Sequence, residues 1–75
     1  MDCKIRKPLS NEGVITVEFE NGKIFKFSGK AHHLKAFVEE VSAEMNLSEK
    51  QEENLRLGLM MSVLAFTERE NIITW

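Results

Sequence analysis

Residues 55–66 read Leu-Arg-Leu-Gly-Leu-Met-Met-Ser-Val-Leu-Ala-Phe. The eleven residues before them, 44–54, are rich in polar side chains, and from Leu55 the chain turns apolar on nearly every side. A surface helix of a small domain carries one apolar stripe facing its core. Leu55, Leu59, Val63 and Phe66 supply such a stripe, while Leu57, Met60, Met61 and Leu64 are left for a second. The first is expected to meet the rest of the fold and the second to meet a partner. A chain of 75 residues has little else to cover it with, because at this size folding buries only about 60% of the surface that the unfolded chain exposes.

The helix has a clear start. Ser48-Glu49-Lys50-Gln51 has the form of a capping box, with Ser at the cap and Gln three residues on. Glu49, Glu52 and Glu53 occupy the first turns, where the helix dipole favours negative charge. The expected span is residues 49–68, which contain no proline. Gly58 inside it costs about 1 kcal/mol relative to alanine, so either the packing tolerates it or a neighbouring backbone comes close there.

Upstream, Leu34, Phe37, Val38, Val41 and Met45 recur at helical spacing, with Lys35, Glu39, Glu40 and Glu44 on the other side. This pattern predicts an amphipathic helix over residues 30–45. Ser28 is a candidate cap for it, and Asn46 suits its C-terminal end.

Residues 14–28 read as a β-hairpin around Asn21-Gly22. Ile15, Val17 and Phe19 alternate with Thr16, Glu18 and Glu20, and Phe25 and Phe27 alternate in the second arm. A two-residue turn would put Phe25 and Phe27 on the face opposite Ile15 and Val17. A three-residue loop, Glu20-Asn21-Gly22, pairs Phe19 with Lys23, Val17 with Phe25 and Ile15 with Phe27. All the large apolar residues except Ile24 then share one face. A one-residue slip flips every side chain, so the buried face selects the three-residue loop, with Gly22 left-handed in a bulge. Residues 1–12 are expected to be a loosely ordered N-terminal segment, with Cys3 to Arg6 as an optional short strand and a loop through Pro8 and Ser10-Asn11-Glu12-Gly13. Residues 71–75 are β-favouring and end on the sole tryptophan, as a third strand or a tail packed on the core. The expected fold is therefore α+β in one domain: a hairpin, with a third short strand optional, packed on two helices of which the second is central and apolar.

Net charge is −2, which argues against a general nucleic-acid binder. Its distribution is uneven. Residues 1–38 hold seven Lys/Arg and four acids, whereas residues 39–75 hold three Lys/Arg and eight Glu. The basic half places Lys23, Lys26, Lys30 and Lys35 around the hairpin and the start of the first helix. These four are the candidate nucleic-acid contacts, since backbone neutralisation requires such a patch. No aromatic residue interleaves with them as a stacking platform, and Phe25 and Phe27 read as core.

Chemistry-bearing constellations are sparse. His32 and His33 are adjacent, so on a helix they point about 100° apart and do not share a face as metal ligands would. Cys3 is the sole cysteine, which rules out a disulfide within the chain and fits a reducing, cytoplasmic setting. It reads as a free thiol near a loose terminus. The glutamates read as solvated helix surface, and no glycine-rich phosphate loop is present. No catalytic residue, metal ligand, cofactor or small-molecule substrate is assigned. No apolar run reaches the roughly 20 residues of a membrane span, and the start lacks the apolar stretch of a signal peptide.

Asn46-Leu47-Ser48-Glu49, followed by Asn54-Leu55-Arg56-Leu57-Gly58-Leu59, resembles the first helix pair of the anti-sigma-factor, histidine-kinase-like ATPases. The likeness covers residues 33–66. That family carries a catalytic Glu and a Mg²⁺-binding Asn on its second helix, where this chain has Met61 and Ala65, so the resemblance implies no nucleotide chemistry here.

The sequence thus points to a small non-enzymatic regulatory or adaptor protein. It is expected to act by protein–protein binding, as a homodimer or with another protein, through Leu57, Met60, Met61 and Leu64. The alternative is a nucleic-acid-binding regulator that uses the basic hairpin-to-helix region.

Overall fold

The computed structural model describes residues 2–7, 14–64 and 69–74. Within them the elements run β1 (Asp2–Lys7), β2 (Ile15–Phe19), β3 (Ile24–Phe27), a 3-10 turn (Ala31–His33), α1 (Leu34–Met45), α2 (Glu49–Leu64) and β4 (Arg69–Thr74). The four strands form one antiparallel sheet in the order β3-β2-β1-β4. The fold is α+β, with both helices on one face of the sheet.

The hairpin has the register that its buried face demands. Ile15 stands opposite Phe27 and Val17 opposite Phe25. The Phe19 amide donates to the Lys23 carbonyl at 2.9 Å, and the Gly22 amide to the Phe19 carbonyl at 2.9 Å. Gly22 has φ +90°, the left-handed conformation of a bulged three-residue loop. Ile15, Val17, Phe19 and Phe27 are buried, and Phe25 is half-buried edge-on to Phe19 with ring centroids 5.7 Å apart. Ile24 points the other way and is 56% exposed.

Two expectations at the chain ends are corrected. Residues 2–7 are not loosely ordered. They form β1, an interior strand paired with β2 on one side and β4 on the other. The reason is the alternation of Cys3 and Ile5, both fully buried, with Lys4 and Arg6 on the opposite face. Cys3 is therefore a core residue rather than a terminal thiol, and its burial pushes the thiol pKa up to about 12. The C-terminal strand begins at Arg69, earlier than residue 71, and makes the sheet four-stranded. The expected loop over residues 8–13, the helical extension over residues 65–68 and Trp75 lie outside the described residues.

The helices begin and end by the chemistry of their caps. Ser48 Oγ accepts from the Gln51 amide at 3.2 Å, and Gln51 Oε1 accepts from the Ser48 amide at 2.9 Å, which is the reciprocal capping box. Asn46 closes α1 in the left-handed conformation, φ 54°. The start of α1 differs from expectation: the 3-10 turn precedes Leu34, and Ser28 is not its cap. The Ser28 hydroxyl instead accepts from the Lys30 amide at 3.4 Å and lies 3.2 Å from His33 Nδ1.

Leu34, Val38, Val41, Leu55 and Leu59 close the core above the sheet, with Phe37 tilted against Phe27 at 4.8 Å between ring centroids. Helix α2 lies over β1 and β4 and presents Leu55, Gly58, Leu59 and Ser62 inward. Gly58 and Ser62 are both buried, and the Ser62 hydroxyl donates to the Gly58 carbonyl at 3.1 Å.

Candidate association surface

One turn of helix spans 3.6 residues, so positions i, i+4 and i+7 share a face. Leu57, Met61 and Leu64 have this spacing and stand opposite the buried stripe of α2. They are 48%, 51% and 67% exposed, respectively. Met60, expected to face outward with them, is half-buried and packed against the core at the flank of α2. A cluster of large apolar side chains on the outside of a small domain marks an interaction site more often than chance.

Beside this stripe runs a groove of about 410 Å³ between α1 and α2. Its floor is Leu34, Val38 and Met60, and its walls carry Lys35 and Glu39 from α1 and Glu52 and Arg56 from α2. The helices run antiparallel across the short turn at residues 46–48 and are tied where Ser42 Oγ donates to Glu52 Oε2 at 2.9 Å. Met60 belongs to the groove and lies one helical turn from both Leu57 and Leu64, so stripe and groove form one continuous surface.

The sheet face away from the helices carries two rows set by strand register. One reads Ile24, Glu18, Lys4, Ile72 and the other Lys26, Thr16, Arg6, Glu70. Arg6 and Glu70 pair at 3.1 Å on this exposed surface. The face mixes both signs of charge, with Lys26 and Arg6 both basic in the second row, and Ile24 and Ile72 at the ends of the first are 56% and 57% exposed.

The four lysines singled out for nucleic acid do not share a face. Lys23 turns to the helix side and bonds Glu44 of α1 at 2.5 Å. Lys26 leaves the neighbouring strand on the opposite, open side. Lys30 precedes the 3-10 turn and Lys35 stands on α1. The lysine cluster legible in the sequence is thus divided by the pleat of β3 and by the acidic end of α1.

His32 and His33 are exposed, with ring centroids 4.1 Å apart. Among the described residues no three His, Cys, Asp or Glu side chains gather as cation ligands, and no helix is long and apolar enough to cross a membrane. No protein-family model, curated protein or solved structure matches the chain.

Proposed function

We propose that this chain is a non-enzymatic regulatory or adaptor protein that acts by protein–protein binding through the outer face of α2, with a second copy as its first partner. The observation that carries the reading is the helix apolar on two opposite sides: Leu55 and Leu59 sealed within the fold, Leu57, Met61 and Leu64 open to solvent. Taking a fully exposed side chain of this size out of water stabilises by about 1.5–3 kcal/mol, and Leu57, Met61 and Leu64, already partly covered, each stand to gain a part of that on pairing. The split lysines favour this reading over nucleic-acid binding. The reading also places the protein in a reducing, cytoplasmic setting, where Cys3 remains a thiol.

Association of folded subunits links stability to concentration. The thermal midpoint is therefore expected to rise as protein concentration increases from low to high micromolar. A midpoint independent of concentration, in a chain that sediments as one subunit, contradicts the reading.

A further inference from the structure

The charges around the α1/α2 groove follow an order along its length. Glu39 and Glu52 stand on its two walls near the helix turn, Lys35 and Arg56 one turn further along, and Ala31 and Met60 at the far end. Each step is four residues on both helices, about 6 Å of rise. Along the direction of α2 the groove therefore reads acidic, basic, apolar.

The outer stripe of α2 reads the complement. Lys50, Glu53, Leu57, Met61 and Leu64 follow one another at spacings of three and four, which keeps them on one face. All five are exposed. In the same direction the stripe reads basic, acidic, apolar. Arg56 already bonds Glu53 of its own helix at 2.6 Å, whereas Lys35, Glu39 and Lys50 carry no ion pair among the described residues.

We infer that the dimer is parallel, with a twofold axis running along α2, and that the stripe of each copy lies in the α1/α2 groove of the other. Lys50 meets the Glu39/Glu52 level, Glu53 the Lys35/Arg56 level, and Leu57 the Ala31/Met60 end. An antiparallel pairing would set the apolar end of the stripe against the two glutamates and Lys50 against the apolar end of the groove, with Glu53 alone matched at the middle level. Because stripe and groove adjoin at Met60, both contacts form at once and the interface is closed, as a twofold dimer requires. This arrangement rests on the proposed association through α2 and adds its direction and its charge register.

The test uses two charge-swapped forms of the full chain. The stripe form carries Lys50→Glu and Glu53→Lys. The wall form carries Lys35→Glu and Glu39→Lys. All four positions are exposed, and circular dichroism confirms that each form folds. Each form alone mismatches both contacts and is expected to dissociate at least about tenfold more readily than the parent. Mixed one to one, they pair swapped stripe with swapped wall and native stripe with native groove, so the heterodimer recovers affinity. Sedimentation velocity reads both. Swapped forms that dimerise like the parent, or a mixture with no recovery, overturn the parallel register. If Met61→Asp still dissociates the parent in that case, association through α2 stands. A parent chain that is a single subunit to begin with overturns both.

Discussion

Leu57 and Leu59, two residues apart on α2, face opposite ways: Leu59 is fully sealed, and Leu57 keeps 48% of its surface open. This opposition separates the part of the helix that holds the fold from the part left for a partner. Leu59→Ala leaves a cavity in a close-packed interior and is expected to cost about 2–5 kcal/mol. Leu57→Ala is expected to change folding stability by no more than about 0.5 kcal/mol in dilute, dissociated protein. Urea denaturation of the two variants measures the contrast, and equal losses would contradict the burial described for α2.

The turn of the hairpin depends on one backbone conformation. Gly22 has φ +90°, and a Cβ built there meets nothing within 4 Å. The cost of a side chain is therefore backbone strain alone. Gly22→Ala is expected to destabilise by about 1–2 kcal/mol, and Gly22→Asn by less, since asparagine tolerates the left-handed region. Thermal melts of the two variants measure the ranking.

The Cys3 thiol has its pKa raised from 9.0 to about 12 by burial. Below pH 9 both the folded and the unfolded chain keep the proton, and the contribution to stability is complete. Between pH 9 and 12 the unfolded chain loses the proton while the folded chain holds it, so stability falls as pH rises. Replacing Cys3 with Ala is expected to flatten this part of the stability–pH curve. The native thiol is also expected to resist a thiol-specific reagent at pH 8 and to react once urea unfolds the chain.

The hairpin and the α2 start were legible in the sequence because local chemistry decides them. A slip of one residue would expose Phe25 and Phe27, and Ser48 and Gln51 can cap only one helix. Strand β1 was harder to read. Its alternation rests on Cys3 and Ile5 alone, and its partners lie at Ile15–Phe19 and Arg69–Thr74, the latter almost a full chain length away. Pairing so distant in sequence leaves no local trace. Spacing groups Met60 with the outer residues because it does not reveal where α1 crosses; in the fold Met60 lines the groove beside α1 and is half-buried. The lysines looked clustered in sequence, yet the pleat sends Lys23 and Lys26 to opposite faces.

The cap of α2 supplies a further quantity. Removing the Ser48 hydroxyl leaves the Gln51 amide without its acceptor. Ser48→Ala is expected to lower stability by about 1 kcal/mol, and Ser48→Asp, which keeps an acceptor near the positive helix end, to retain most of it. Chemical denaturation checks both.

The central claim, that the outer face of α2 joins one copy to another, is tested most directly by sedimentation equilibrium of the parent chain beside Met61→Asp at micromolar concentration. The parent is expected at twice its 8.6 kDa subunit mass, and Met61→Asp, with an unchanged circular dichroism spectrum, at the subunit mass. A parent that stays at the subunit mass at every concentration, or a Met61→Asp protein that remains dimeric, would contradict the claim.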